Sequence, residues 1–218
     1  MHRRFLKSHV AADGLPYRAE TRYIVVARDA RDVFMSLVNH YAGYTDFAMS
    51  LLNDDPTLAP FPRFDGDVKK LWRSWIGRGS FEWESEGHPW WGNLHHTASY
   101  WPFRNLENVL FVHYADLEAD LPAEVRRIAA FLGLDLGDSE LESVLHECHI
   151  DRMRARANEG DPILDAIFEG GANRFYFKGT NGRWRDVLDA EDLALYEQAK
   201  QRVLDPECAQ WLERGFRG

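Results

Sequence analysis

The chain has 218 residues, a length that suits one domain with a full core. With 45% hydrophobic and 13% aromatic residues it is composed as a packed globular protein, which excludes a disordered chain. The net charge of −9 argues against generic nucleic-acid binding, and no apolar run reaches the roughly 20 residues that cross a bilayer.

The opening MHRRFLKSHV has cations but neither a long apolar stretch nor a small-residue cleavage site, so no secretory signal is expected. Residues 3–9 read as a short strand ending in Lys7-Ser8-His9, and residues 11–16 as a loop punctuated by Asp-Gly and Pro. Tyr23–Ala27 is a continuous apolar, β-branched run, the pattern of a strand buried on both faces. Arg28 follows it. A helix then begins near Asp29, capped by Asp29 or Asp32, with Val33, Phe34, Leu37, Val38 and Tyr41 on one face and Ser36 two turns in.

Residues 56–62 break the helical pattern with prolines, and residues 68–76 resume it, with Leu71, Trp72, Trp75 and Ile76 on one side. A helix is expected over 90–100, a strand over 108–114, and helices over 122–132, 139–148 and 190–203, the first of these stopped by Gly133. Residues 157–173, rich in glycine and turn formers, read as either a mobile lid or a long surface loop. Strands separated by helices indicate α/β layering with a mostly parallel sheet. The two cysteines, Cys148 and Cys208, are too few for a disulfide framework, so a reduced, cytoplasmic setting is the expectation.

Charge is unevenly spread. Residues 1–31 carry +4 and residues 172–185 another +4, leaving −17 on the rest. Two basic segments in an acidic body mark either a focused anion site or chance clustering on a solvated surface. Arg28, at the end of a parallel strand, sits where ligands gather in open α/β sheets and offers a fork of donors to a phosphate. Its competing reading is a surface pair with Asp29 or Asp32. Ser36 adds a hydroxyl. Lys178-Gly179, in the run FKGTNGRW, offers a second cation and backbone that a ligand can approach closely, although the same run is a good turn. Together the segments point to a nucleotide with an extra phosphate, and so to sulfuryl transfer. Lys7 and His9 are the catalytic candidates, placed on one side of the sheet by the two-residue period.

In this order the segments resemble the cytosolic-type sulfotransferase family, which uses 3′-phosphoadenosine 5′-phosphosulfate. The resemblance runs from residue 5 to about residue 211. FLKSHV is similar to the family's K-[ST]-H segment, which implies His9 as base and Lys7 as a sulfate contact. YIVVARDARDVFMSLVNHY resembles the segment in which an arginine and a serine eight residues later bind the 3′-phosphate, and Arg28 and Ser36 keep that spacing. NVLFVHYADL resembles the strand whose tyrosine meets the adenine, implying Tyr114. FKGTNGRWRDVL resembles the closing R-K-G-x-x-G-x-W segment, implying phosphate contacts for Lys178 and Gly179.

There are three departures. Phe177 stands at the arginine position of the closing motif. Cys148-His149-Ile150 stands in place of the usual Thr-Ser-Phe. The family's phosphosulfate loop, of the type P-K-[ST]-G-[ST]-[ST], lies ahead of K-[ST]-H and is not in this sequence. The resemblance therefore implies a single sulfotransferase-like domain over residues 1–218, N-terminally incomplete relative to the family. The implied fold is P-loop-like, a three-layer αβα arrangement with a short parallel sheet.

The implied activity moves a sulfuryl group from 3′-phosphoadenosine 5′-phosphosulfate to a hydroxyl or amine of a small-molecule acceptor, with His9 as base and no metal. The alternative is a non-catalytic nucleotide-binding or interaction domain. A kinase reading lacks its G-x-x-x-x-G-K-[ST] turn. No nucleic-acid partner and no membrane span are expected, and the oligomeric state is open. His95-His96 and His146/Cys148/His149 fit no standard four-ligand zinc spacing. The tryptophans at 72, 75, 83, 90, 91 and 101 are core residues or the wall of an apolar acceptor pocket, with Trp83 and Trp90 the better pocket candidates. Trp184 reads as core rather than as a stacking platform.

Overall fold

The computed structural model describes residues 4–57, 60–78 and 92–216. Among these, two strands form one parallel sheet: β1 (Tyr23–Ala27) pairs with β2 (Val109–His113) in the register Tyr23↔Val109 through Ala27↔His113. A parallel pair needs a long crossover. Here it runs through α1 (Ala30–Tyr41), α2 (Asp46–Leu52), α3 (Val68–Gly77) and α4 (Asn93–Tyr100). After β2 come α5 (Tyr114–Ala119), α6 (Leu121–Leu132), α7 (Asp138–Glu147), α8 (Ile150–Asn158), α9 (Pro162–Ile167) and α10 (Gly171–Phe175). Last are α11 (Ala190–Val203) and α12 (Pro206–Arg214).

The helix starts follow local chemistry. Asp29 caps α1 by accepting the Arg31 N–H, so the cap falls on the first of the two candidate aspartates. Asp189 and Asp192 close a reciprocal capping box on α11. His113 caps α5: its Nδ1 accepts from the Ala115 N–H at 3.1 Å while Nε2 donates to the Leu212 carbonyl at 2.9 Å. The bond accepted at Nδ1 requires the neutral ring, and burial lowers the His113 pKa accordingly, opposed by the bond to Leu212. Gly133, at φ 64°, ends α6 in the left-handed region.

One face of the sheet, through Val25, Ala27, Val109 and Phe111, closes onto a core from five helices. Phe34, Trp72, Trp75, Ile76, Leu94, Tyr196 and Leu212 are essentially sealed there. Replacing a fully buried tryptophan such as Trp72 by alanine would cost about 3–5 kcal/mol. The other face of β2 is covered by α5 and α6, with Arg127 of α6 donating to the Phe111 carbonyl at 2.8 Å. The result is a helix–sheet–helix arrangement with a short parallel sheet, dominated by helix.

Three expectations are corrected. Residues 4–10 are not a strand but exposed coil, with Phe5 and Leu6 at 92% and 97% exposure. Among the described residues no backbone pairs with that segment, and a lone extended run has nothing to stabilise its ladder groups. Second, β1 is buried on one face only, because Ile24 and Val26 point away from the core and stay exposed. Third, residues 157–173 are no long loop: they hold the end of α8, all of α9 and the start of α10. Asp161 caps α9 ahead of Pro162, which supplies the start signal of a helix only six residues long. The start of the helix expected over 90–100 lies outside the described residues, as do Trp83, Trp90 and Trp91.

Candidate functional site

The carboxyl ends of the two strands are joined by one loop, residues 178–182. Arg28, the residue after β1, donates from Nε to Asn181 Oδ1 and from Nη2 to the Thr180 carbonyl, each at 2.8 Å. Its guanidinium lies over the Tyr114 ring, 4.3 Å from the centroid. Tyr114, the first residue after β2, donates its hydroxyl to the Gly179 carbonyl at 2.7 Å. Asp32 of α1 accepts the Gly182 N–H at 2.7 Å, and Glu118 of α5 accepts from the Asn181 amide. Gly179 and Gly182, at φ 62° and 82°, supply the left-handed positions this tight path requires.

These contacts decide how Arg28 is used. Asp29 is taken by Arg31, and Asp32 by the loop backbone. Among the described residues, none of Arg28, Lys178 and Arg183 is in an ion pair with a carboxylate. A cavity of about 400 Å³ opens beside them. Arg28, Ser36, Tyr114, Lys178 and Gly179 all line it, together with Phe177 and Arg183. Its far wall is Cys148, His149, Ile150 and Met153, so an aliphatic Ile150 and an imidazole form the surface available to a flat ring.

The surrounding ionisation follows the same layout. Burial raises the pKa of Asp32, with the Gly182 N–H opposing it. Burial also raises Glu118, opposed by Arg28. Burial lowers Arg183, and the neighbouring Arg28 cation lowers it further. The site is a concavity that gathers Arg28, Lys178 and Arg183. Asp32 and Glu118 act on these cations from a distance, but among the described residues none of the three is in an ion pair, which leaves them free to take an anion. A second cavity, of about 430 Å³, lies behind Met153 and Tyr176. Its wall sets Glu147 and Asp161 against Arg156, which suits a polyanion poorly.

Lys7 and His9 do not line the main cavity. They stand on the exposed coil, whose continuation docks on α4: the Ala12 N–H donates to Ser99 Oγ at 2.9 Å and Tyr100 Oη to the Val10 carbonyl at 3.1 Å. His9 is exposed as a residue but crowded on one flank. That partial burial, followed by the Lys7 charge, lowers its pKa and keeps the ring neutral. Lys7 also acts on His40, whose ring stacks 5.3 Å from that of Phe175, a residue of the cavity wall. The coil thus approaches the cavity through His40 rather than from within it.

Sequence reasoning passed over several residues that build the site. Asn181, Thr180 and Glu118 act through long-range contacts that no local pattern announces, and Asp32, considered only as a helix cap or a partner of Arg28, instead holds the Gly182 N–H. Arg154 grips the Tyr176 carbonyl from Nε at 3.0 Å and the Phe177 carbonyl from Nη2 at 2.6 Å, fixing the approach to Lys178. Among the described residues, no group of three or more His, Cys, Asp and Glu side chains is placed to hold a metal. His95 pairs with Asp13, and His146 with Glu147. Trp72, Trp75 and Trp101 are core, and Trp184 packs partly buried against it beneath the Arg31 guanidinium.

Fold and site define a class: an α/β protein that gathers cations at the carboxyl ends of parallel strands. The chain belongs to the sulfotransferase family, its residues 1–207 matching the sulfotransferase domain. It is 31% identical over 237 residues to a glycolipid sulfotransferase of Mycobacterium bovis, with all of this chain and 71% of the relative covered. Among solved structures it is similar to mouse sulfotransferase SULT7A1 complexed with PAP, at a TM-score of 0.67 and 19% identity, covering 94% of this chain and 67% of the other. Retinol dehydratase in complex with androsterone and PAP gives a TM-score of 0.62 at 25% identity, covering 85% of this chain and 48% of the other. Among the described residues, no helix is long and apolar enough to cross a membrane.

Proposed function

We propose that this protein, acting as one domain, transfers a sulfuryl group from 3′-phosphoadenosine 5′-phosphosulfate to a hydroxyl or amine of a small-molecule acceptor. The observation that carries the reading is the single cavity lined by Arg28, Ser36, Tyr114, Lys178 and Gly179. The donor chemistry fits. Two cations and a hydroxyl suit a phosphate, and the cavity's volume of about 400 Å³ lies within the usual size of a small-ligand site. Arg28, Ser36 and Lys178 would hold the far phosphate. The relatives' names add a class of acceptor: one is a glycolipid sulfotransferase, and another was solved with androsterone.

The bound donor supplies an electrophilic sulfur with a phosphate leaving group. His9 takes the acceptor's hydroxyl proton as the acceptor oxygen bonds to sulfur. The bond from sulfur to the bridging oxygen breaks, and Lys7 offsets the charge left on that oxygen. A neutral His9 is the state this step requires.

A second reading, nucleotide binding without turnover, is favoured by one observation: Lys7 and His9 stand outside the cavity. Two measurements separate the readings. Calorimetric titration with 3′,5′-adenosine bisphosphate should show binding that Arg28→Ala abolishes, and equal heats from both proteins would refute the phosphate role. Incubation with the donor and a panel of glycolipid, steroid, phenol and amine acceptors should yield a sulfated product. Binding without product supports the second reading.

A further inference from the structure

Arg183 has no role in the expectations drawn from the sequence, yet it lines the same cavity as Arg28, Ser36 and Lys178. Its Nη2 donates to the Met35 carbonyl at 3.2 Å, which anchors it against α1. Its Nε is sealed from water and has no hydrogen-bond partner among the described residues. A buried N–H of a cation left without an acceptor is costly, and native structures rarely keep one unless a ligand or ion completes it. The cost is compounded here by the Arg28 cation close by. Two guanidinium groups in one cavity repel each other; Asp32 acts on both from a distance, but neither is in an ion pair with a carboxylate among the described residues. An anion with several acceptor oxygens would supply the close counter-charge and the acceptor that Arg183 Nε lacks.

We propose that Arg183 is a binding residue for the terminal phosphate monoester of the nucleotide, acting with Arg28 and Ser36. This rests on the donor reading given above. The Phe177 ring sits 5.3 Å from the Arg183 guanidinium and 5.2 Å from the Lys178 ammonium. It is therefore an apolar spacer between two cations, and Arg183 supplies from six residues further on the fork of donors that position 177 does not. The same geometry means that an arginine placed at 177 would emerge beside the group that Arg183 serves.

The test compares 3′,5′-adenosine bisphosphate with adenosine 5′-monophosphate, which lacks the second phosphate, by calorimetry on the full chain. Arg183→Met should weaken the bisphosphate by about 10–100-fold, the span of one charge-assisted hydrogen-bonded contact, and leave the monophosphate within about twofold. Arg183→Lys should fall between. Adding Phe177→Arg to Arg183→Met should recover at least tenfold for the bisphosphate alone, a rescue that a merely structural role for Arg183 would not give. Undiminished bisphosphate affinity in Arg183→Met overturns the assignment, as does an equal loss for both nucleotides. If the wild-type chain fails to prefer the bisphosphate at all, the donor reading itself falls and the Arg183 role falls with it.

Discussion

The Tyr114 hydroxyl and the Gly179 carbonyl, 2.7 Å apart, tie the end of β2 to the loop that carries Lys178. The same ring supports Arg28 at 4.3 Å, so one side chain orients a cation from each of the two segments. Removing the hydroxyl separates these duties. Tyr114→Phe keeps the ring under Arg28 and should cost about 1 kcal/mol of stability, with a severalfold loss of bisphosphate affinity. Tyr114→Ala also loses the cation–ring contact and should weaken binding further. Thermal unfolding and calorimetry measure both. A Phe variant that matches wild type in both readouts shows that the bond does not organise the loop.

Gly179 has a backbone at φ 62°, and a Cβ there would stand 3.1 Å from Ile150 Cδ1 and 3.4 Å from Tyr114 Oη. Gly179→Ala should therefore suffer both the left-handed penalty, about 1–2 kcal/mol, and displacement of the cavity wall. Gly66 is a matched control, at φ 94° with nothing within 4 Å of its Cβ position. Gly66→Ala should lower the unfolding midpoint alone, whereas Gly179→Ala lowers nucleotide affinity as well. Equal affinity in the two variants would falsify this account of Gly179.

If His9 is the base, His9→Ala should abolish turnover while bisphosphate affinity holds. Partial burial and then Lys7 both lower the His9 pKa. The acid limb of the turnover profile should accordingly have its midpoint below the usual histidine value, activity rising as the ring loses its proton. Lys7→Met removes the second cause, so the limb should move upward in pH but only part of the way. Turnover that survives His9→Ala eliminates this residue as the base.

Stability at acid pH should report His96. Burial, followed by His9 and His95, pushes its pKa down to about 4 from 6.5. The folded state thus prefers the neutral ring. Its contribution is complete above about 6.5 and is lost as pH falls towards 4, amounting to at most about 3 kcal/mol. His96→Gln has no such increment to lose. Urea midpoints of the two proteins should converge across this window on acidification, and a constant gap would assign the effect elsewhere.

What the sequence disclosed was local. The strand, Arg28 and the helix bearing Ser36 are consecutive, so their mutual placement follows from element type alone. The glycines of the closing loop likewise announce a turn. What it concealed depends on partners distant in the chain. Residues 4–10 have strand composition, but a strand is defined by its neighbour, and among the described residues none pairs with them. Helices α8, α9 and α10 are short and are separated by Gly160 and Gly170, so their periodicity never accumulates. The grip of Arg154 on Tyr176 and the unmet Nε of Arg183 are visible only once the chain is folded.

The uncovered flank of β1 bears on how the protein behaves when concentrated. Among the described residues its outer edge recruits no third strand, and Val26 stands 61% exposed. Such an edge is a template for ladders between molecules. Arg22 and Arg28 bracket the five-residue run like sentries. Two copies aligned side by side would also bring together two bodies of net charge −9, a mutual rejection that fades as salt rises. Colloidal behaviour should therefore worsen with ionic strength, the opposite of a protein whose clumping is driven by attraction between unlike charges.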